Sequence, residues 1–339
     1  MHPSDNFRVV AEILLGTAEF TAVEVAQQSG VEIDRVMRLW QALGFPPVPL
    51  DARVFTRADL ETLQIVRLMV EQQGPDPAAL LQLTRVIGQS LARVADAQVT
   101  VSAERVVRDR GDPPSGATGA AGAWSDDLQQ LVERIRMFAP SIERFLGYVW
   151  RRHLLAATLR LSAVPDAADR TQSVGFADLV GFTALSEALE ARELAATVER
   201  FETTSYEQIV NRGGRVVKMI GDEVMFAVEE AALAAEIGLA LVEAYAADDE
   251  LPDVRVGLAH GPTLAWEGDL FGPTVNLASR LVNFARPRTV LASEELGRLL
   301  RDQPAFALRH LRPVNLQGIG SVRLWVVRRA TAAPRRVQR

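Results

Sequence analysis

RVVKMIGDEVMF, residues 215–226, is the most informative segment of this 339-residue chain. Apolar residues on both sides of a central Gly-Asp pair predict two short β-strands joined by a tight turn. The hairpin also carries two charged side chains, Lys218 before the turn and Asp222 within it. Packing gives no reason for either charge in so apolar a hairpin. The segment is therefore either part of a functional site or a surface turn with a stray charge.

An acidic residue also interrupts the apolar segment SVGFADLVGFT, residues 173–183. The segment predicts a buried strand that ends near Asp178 and leads into a helix. A carboxylate in an apolar strand costs free energy unless it is paired or binds a cation. Because Mg²⁺ prefers hard oxygen ligands, Asp178 and Asp222 on neighbouring strands predict a metal site.

A third segment, DLFGPTVNLASRL at residues 269–281, predicts a helix that places Asn276 and Arg280 on one face, four residues apart. The three segments, in this order and at these separations, resemble the catalytic domain of class III nucleotidyl cyclases. The resemblance spans about residues 171–328, nearly half of the chain. It implies an α+β domain with a ferredoxin-like βαββαβ core, and we expect the helices on one side of the sheet.

The resemblance implies that Asp178 and Asp222 bind two Mg²⁺ or Mn²⁺ ions in each active site. Such ions activate the ribose 3′-hydroxyl of a nucleoside triphosphate and hold its phosphates. The loop after Asp178 leads into a helix, and the first N–H groups of a helix commonly meet phosphate. The predicted phosphate-binding backbone comprises Leu179, Val180, Gly181, Phe182 and Thr183.

Lys218 and Asp269 match the purine-reading pair of the family, and Asn276 and Arg280 match its transition-state pair. Lysine only donates hydrogen bonds and aspartate only accepts them. Adenine offers an acceptor at N1 and a donor at its 6-amino group, so the pair predicts conversion of ATP to 3′,5′-cyclic AMP. A guanylyl or mixed-specificity cyclase is the alternative. Gln317 stands where many family members carry a phosphate-binding lysine.

In this family the active site lies between two catalytic domains. One domain supplies the aspartates, and the other supplies the purine-reading and transition-state residues. This chain carries both sets. The resemblance therefore implies a head-to-tail homodimer with two equivalent sites.

The composition predicts a multidomain, cytoplasmic protein. With 339 residues, the chain is long enough for two domains. It contains no cysteine, its first residues lack a secretion-signal pattern, and it has no apolar run of transmembrane length. The net charge of −6 does not favour binding to nucleic acid.

The order of apolar and breaker residues predicts two domains. The Gly-, Pro- and Ala-rich residues 108–123 predict a flexible loop within an otherwise helical region. The predicted organisation is an all-α regulatory domain at residues 1–160, a linker at 161–170, the catalytic domain at 171–328 and a basic tail at 329–339.

Residues 21–45 predict two helices with a turn at Ser29-Gly30, and Thr21 with Glu24 predicts a capping box. The pattern resembles the helix-turn-helix of MerR-like regulators. A DNA-binding domain needs a basic face, but residues 1–65 hold five basic and nine acidic side chains. We therefore predict a regulatory module without a nucleic-acid partner. A DNA-binding regulator with an inactive, nucleotide-sensing cyclase domain is the competing hypothesis.

The helical N-terminal half resembles that of a bacterial group of soluble, autoinhibited, pH-responsive class III cyclases. The resemblance implies that the helical domain controls activity. His153 lies in the helix that leads into the catalytic domain, and it is either a pH-sensitive residue or an ordinary surface histidine. Protons, a lipid ligand of the helical domain and a partner protein all stay open as signals, and a membrane partner is not expected.

Overall fold

The structure is a computed structural model, and two compact units divide the chain, Met1–Leu159 and Arg160–Arg339. The described residues are 10–72, 74, 76–110, 120–162, 170–316 and 318–330. Some predictions fall outside this part of the chain. They concern residues 111–119 of the predicted loop, 163–169 of the linker, 331–339 of the tail, and Gln317.

The described part of the first unit is helical, apart from one β-bridge between Phe20 and Phe55. Two long helices follow four shorter ones. The helices are α1 (residues 10–15), α2 (Ala22–Ser29), α3 (Ile33–Ala42), α4 (Arg57–Glu71), α5 (Pro77–Arg110) and α6 (Ala120–Ser162).

The capping box at the start of α2 is confirmed. The Thr21 N–H donates to Glu24 Oε2 (2.9 Å), and the Glu24 N–H donates to Thr21 Oγ1 (3.2 Å). Gly30 ends the helix in the left-handed conformation (φ 72°), which glycine adopts without strain. The short helices then enclose a small apolar core. Its buried members are Ala22, Val25, Ala26, Val31, Val36, Leu39, Phe55, Leu60 and Leu63.

Both ends of the predicted flexible loop are helical instead. Residues 108–110 belong to α5 and residues 120–123 belong to α6. Alanine has the highest helix propensity, so the segment AAGA extends α6 although it contains a glycine. Both ends of the predicted linker also belong to regular elements, because residues 161–162 end α6 and Arg170 begins the first strand.

The second unit is an α+β domain, as predicted. Its strands are β1 (Arg170–Leu179), β2 (Arg215–Ile220), β3 (Glu223–Val228), β4 (Val254–Trp266), β5 (Asp269–Phe271), β6 (Val290–Ser293), β7 (Phe306–His310), β8 (Val314–Leu316), β9 (Gly320–Val322) and β10 (Leu324–Arg329). Its helices are α7 (Phe182–Ala188), α8 (Ala191–Val210), α9 (Ala231–Ala246), α10 (Pro273–Phe284) and α11 (Glu294–Leu300).

The main sheet has the order β2-β3-β1-β4-β6-β10-β7, and β5 extends it by pairing with the end of β4. All neighbours along this order are antiparallel except β4 and β6, which are parallel. Strands β8 and β9 form a separate hairpin. The predicted hairpin at residues 215–226 is confirmed as β2 and β3, with Gly221 in the left-handed conformation (φ 62°).

Helices cover both faces of the sheet, and the expectation of helices on one side was wrong. Ala177 and Leu179 of β1 pack in the apolar cluster that includes α8 and α9. Val174 and Phe176 of the same strand pack with α10 on the opposite face. Both faces of the central strands are therefore apolar, which is why β1 reads as an almost continuous apolar run.

The α10 face of the sheet is the face that carries Asp178, because residues two apart in a strand point the same way. Gly257 of β4 allows α10 to lie directly on this face. A Cβ atom at that position would lie 2.2 Å from the backbone nitrogen of Val282. The close approach fixes where α10 lies relative to the end of β1.

Candidate active site

Asp178 and Asp222 lie next to each other at one end of the sheet. Asp178 is close to the end of β1, opposite Glu223 of β3. The Leu179 N–H donates to the backbone oxygen of Asp222 (3.1 Å), which holds the β2–β3 turn against β1. The structure thus brings together the two predicted metal-binding residues.

Arg255 of β4 is the direct partner of Asp178. One carboxylate oxygen, Oδ2, accepts a hydrogen bond from Nε of the arginine (2.7 Å) and forms an ion pair with its Nη2 (2.6 Å). The Asp178 side chain is only 14% exposed. A charge so buried needs such a partner, since desolvation of an unpaired carboxylate is costly.

Arg255 is a site residue that the sequence analysis missed. The signal was present, because Arg255 interrupts the apolar alternation of β4 between Val254 and Val256. Arg255 Nη1 also donates to the backbone oxygen of Asn283 (3.2 Å), near the end of α10. One guanidinium therefore joins the carboxylate of Asp178 to the helix that carries the predicted transition-state pair.

Ionisation of the carboxyl groups at this end of the sheet is disfavoured. Burial raises the pKa of Asp178, although the Arg255 hydrogen bond and charge act in the opposite direction. Burial, together with the charges of Asp178 and Asp222, raises the pKa of Glu223 to about 7. A divalent cation would relieve this crowding of negative charge.

The donor set fits a magnesium-type ion that also binds substrate. Among the described residues, no three His, Cys, Asp or Glu side chains are grouped to hold a metal ion. Mg²⁺ is commonly bound by one or two carboxylates together with the phosphate oxygens of the substrate and water. The adjacent oxygens of Asp178 and Asp222 match the protein's share of such a site.

Lys218 and Asp269 meet although 51 residues separate them in the chain. Lys218 Nζ donates to Asp269 Oδ2, and the Leu270 N–H donates to Asp269 Oδ1 (2.7 Å). A β-bulge between Val216 and Lys218 shifts the register of β2 just before the lysine. Both charged side chains are partly exposed, so a ligand can reach them.

Asn276 and Arg280 lie on the outer face of α10. The helix begins with Pro273 in its first turn and buries Ala278 and Leu281 against the sheet. At about 100° per residue, Asn276 lies about 200° around the helix from Ala278. Asn276 and Arg280 are both exposed, and within the described part of the chain neither makes a side-chain hydrogen bond or ion pair. The single chain therefore does not bring them to Asp178 and Asp222.

The predicted phosphate-binding backbone divides into two parts. The Leu179 N–H is bonded to Asp222, and the Val180 N–H donates to the backbone oxygen of Asp253 (2.8 Å). Gly181 adopts the left-handed conformation (φ 76°) and precedes α7, which begins at Phe182. The first two N–H groups are therefore engaged within the chain, and a phosphate-binding role is left to residues 181–183.

Comparison with known proteins identifies the family. Residues 166–329 match the family described as "Adenylate and Guanylate cyclase catalytic domain", and residues 4–115 match "Adenylate cyclase regulatory domain". An adenylate cyclase of Streptomyces coelicolor is 36% identical over 95% of this chain and 89% of its own length. The chain belongs to the class III adenylate cyclase family.

Two further relatives of the cyclase cover most of its length. An adenylate cyclase of Streptomyces griseus is 38% identical over 86% of the chain and 71% of the relative. The pH-sensitive adenylate cyclase MT1302 of Mycobacterium tuberculosis is 32% identical over 91% of the chain and 78% of the relative. The similarity therefore extends through the helical half as well as the catalytic half.

The match of residues 4–115 supports the regulatory interpretation of the helix-turn-helix segment over the DNA-binding one. His153 is exposed on α6. Among the described helices, none combines the length and the apolar character that a bilayer crossing needs.

Proposed function

We propose that the cyclase converts ATP to 3′,5′-cyclic AMP and pyrophosphate, with two divalent metal ions, at sites shared by two copies of the chain. The helical domain controls the activity. The orientation of α10 carries the proposal. This helix presents Asn276 and Arg280 to solvent, away from the sheet that carries Asp178 and Asp222. All four residues can act on one ATP only if the two pairs come from different chains.

A head-to-tail homodimer meets this requirement. In such a dimer, the outer face of α10 of one chain lies over the aspartates of the other chain. The partner relation is reciprocal, so two equivalent sites form. Exposure of Asn276 and Arg280 supports this arrangement, because a polar face with no partner among the described residues is available to a second chain.

Lys218 and Asp269 would select the base. The two side chains bond to each other. Lys218 carries three donor hydrogens, so it can keep one on Asp269 and give another to adenine N1. Asp269 accepts from the 6-amino group, while the Leu270 N–H holds its other oxygen in place. The pair therefore matches the edge of adenine without a change of protonation.

The reacting centre combines the two half-sites. Asp178 and Asp222 would hold the metal ions, which, when bound, would supply Lewis-acid activation of the 3′-hydroxyl and charge neutralisation at the phosphates. Arg255 fixes the orientation of Asp178 for this task. Asn276 of the other chain orients the ribose, and Arg280 stabilises the negative charge that develops on the phosphates during displacement of pyrophosphate.

The proposed triphosphate site lacks one cationic side chain but keeps backbone N–H donors. Gln317, in place of the family's usual lysine, removes one cationic contact with the triphosphate. The N–H groups of Gly181, Phe182 and Thr183 are the remaining backbone donors near Asp178. We expect a modest affinity for ATP for this reason, compared with a cyclase that has the lysine.

Control by the helical domain is the regulatory part of the proposal. The matched regulatory-domain family and the similarity to a pH-sensitive relative support it. His153 is the candidate pH-sensitive residue, since histidine is the side chain that ordinarily titrates near neutral pH. We expect His153→Ala to flatten the pH–activity profile of the full chain, and an unchanged profile would remove His153 from the proposal.

The test of the proposed function is cyclic-nucleotide production by the full chain, with ATP and GTP supplied separately and with Mg²⁺ or Mn²⁺. Cyclic AMP as the main product is the expected result. Formation of cyclic GMP from GTP at a rate equal to or higher than that of cyclic AMP from ATP would replace the proposal with a guanylyl or mixed cyclase. ATP binding without turnover, in the presence of either metal, would favour a nucleotide-sensing domain instead.

A further inference from the structure

The end of β4 and the short strand β5 form a two-stranded arm beyond the main sheet. Its register pairs Leu264 with Phe271 and Trp266 with Asp269. The turn between them consists of Glu267 (φ 51°) and Gly268 (φ 82°), and both residues have positive φ. Two-residue hairpin turns of this kind match the twist of the strands and fix the register. The pairing of Trp266 with Asp269 is therefore determined by the turn itself.

Asp269 shares one face of the arm with three large apolar side chains. Residues directly opposite each other in a hairpin lie on the same face, as do residues two apart. Leu264, Trp266 and Phe271 are on this face and are 50%, 48% and 47% exposed. Leu270, between Asp269 and Phe271, points the other way and is buried in the core. The arm thus presents an apolar surface around one carboxylate.

Trp266 lies directly opposite Asp269 in the arm, closer to the proposed base-reading pair than the other two exposed apolar residues. Directly opposite residues have Cβ atoms about 4.5–5.5 Å apart, so the indole begins beside the Asp269 carboxylate. That carboxylate is held in place by Lys218 and the Leu270 N–H. A planar ring that meets Lys218 and Asp269 along its edge therefore has the indole within reach of its face.

We propose that Trp266 is a base-stacking residue, whose indole packs on the purine that Lys218 and Asp269 read at its edge. This inference rests on the proposed function and deepens it. Lys218 and Asp269 distinguish one purine from another, whereas an aromatic face binds every base. Trp266 supplies affinity and orientation for the base, and the ion pair supplies the choice of base.

Kinetics of Trp266→Leu and Trp266→Phe in the full chain test the proposal. Loss of a base–aromatic stack lowers affinity roughly five- to a hundred-fold. We expect Trp266→Leu to raise the KM for ATP on the order of tenfold with kcat nearly unchanged, because stacking acts equally on ground and transition states. Trp266→Phe, which keeps an aromatic face, should stay close to the unmodified chain. An unchanged KM in Trp266→Leu would overturn the proposal.

Inorganic tripolyphosphate is the probe that separates base contact from general damage. It competes for the phosphate part of the site and has no base, so its inhibition constant should be the same in Trp266→Leu and in the unmodified chain. Leu264→Ala is the matched control, since Leu264 is equally exposed on the same face but is paired with Phe271 rather than with Asp269. Its KM should not change.

Sedimentation of each variant separates stacking from assembly. If Trp266→Leu and Leu264→Ala both weaken the dimer and tripolyphosphate inhibition, the arm is a subunit contact and the proposal is overturned.

If the unmodified chain makes no cyclic nucleotide, tryptophan fluorescence decides whether Trp266 contacts the base. Quenching by ATP that disappears in Trp266→Phe then supports the base contact even though the proposed function fails. Quenching that persists in Trp266→Phe overturns it.

Discussion

Arg255 Nε donates a hydrogen bond to Asp178 Oδ2 (2.7 Å), and Nη1 of the same arginine donates to the backbone oxygen of Asn283 (3.2 Å). The same guanidinium thus touches both the proposed metal half-site of the cyclase and the end of α10. In a head-to-tail dimer these two elements of one chain serve different active sites. Arg255 is therefore placed to fix the position of the Asp178 half-site relative to the α10 half-site of the same chain.

Substitution Arg255→Gln should lower activity through the metal. Loss of the hydrogen bond and the ion pair frees the Asp178 carboxylate to rotate and raises its pKa further, because burial then acts without the opposing charge. Loss of a residue that orients a metal ligand typically costs roughly 10–100-fold in metal affinity or activity. The half-saturating Mg²⁺ concentration should rise, and excess metal should restore part of the rate.

Arg200→Gln is the control for this prediction. Arg200 also bonds an aspartate, Asp248 (2.7 Å), but neither residue belongs to the proposed active site. Its removal should leave the Mg²⁺ dependence unchanged. Equal Mg²⁺ dependence in Arg255→Gln and the unmodified cyclase would show that Arg255 does not position Asp178.

The purine-reading pair predicts a specific loss of ATP use. In Lys218→Glu with Asp269→Cys, the donor for adenine N1 and the acceptor for the 6-amino group are both removed. Hydrogen bonds to charged groups are worth about 1.5–3 kcal/mol each, so kcat/KM for ATP should fall at least roughly tenfold. Steady-state rates with ATP and with GTP measure the effect. A ratio of the two rates that does not change would contradict base reading by this pair.

Local patterns in the sequence were sufficient to predict the parts of the fold that local interactions determine. The hairpin around Gly221, the capping box of Thr21 and the helix that carries Asn276 each depend on residues within a few positions. Asp178 and Asp222 were found because a charge in an apolar strand contradicts the local pattern. The roles proposed for six side chains rest on the resemblance of three contiguous segments to the family, and they stay predictions.

Features that depend on distant residues were not predicted. A charge in an apolar strand marks Arg255 as unusual, but its contact with Asp178 depends on strand pairing across 77 positions, which no local pattern indicates. The three-residue strand β5 is too short to show a period. The position of α10 on the second face depends on Gly257, whose missing side chain matters only once the helix is packed against it.

His260 predicts a pH dependence of stability that is separate from catalysis. His260 of β4 bonds Ser173 through Nδ1 (2.9 Å), and burial lowers its pKa below the ordinary value of 6.5. Below about pH 6.5 the unfolded chain therefore binds the proton more readily than the folded chain. The contribution of neutral His260 to the free energy of unfolding is therefore fully present above about pH 6.5, and it is lost as the pH falls through the folded-state pKa of His260.

We expect His260→Asn to weaken this dependence. Thermal unfolding at about pH 7.5 and pH 5.5 should show a smaller decrease of Tm on acidification in the variant than in the unmodified cyclase, by a few degrees. His153→Ala, at an exposed position on α6, is the matched control and should keep the full decrease. The same decrease in all three proteins would mean that His260 does not contribute.

Mixing two inactive variants tests whether the active sites are shared. Asp178→Ala lacks a metal ligand and Asn276→Ala lacks the ribose contact, so each homodimer has two defective sites. In a mixed dimer, one site combines the intact Asp178 of one chain with the intact Asn276 of the other. Random pairing of equal amounts makes half of the dimers mixed, each with one intact site of two. Coexpression should therefore restore about a quarter of the unmodified specific activity.

The control mixture combines Asp178→Ala with Asp222→Ala. Both changes remove metal ligands from the same half-site, so every site in the mixed dimer lacks one aspartate and no activity should return. Recovery in the first mixture but not in the second assigns the aspartates and α10 to opposite chains, as the outward orientation of Asn276 requires. If neither mixture recovers although sedimentation shows mixed dimers, each site is completed within one chain and α10 must move to reach Asp178.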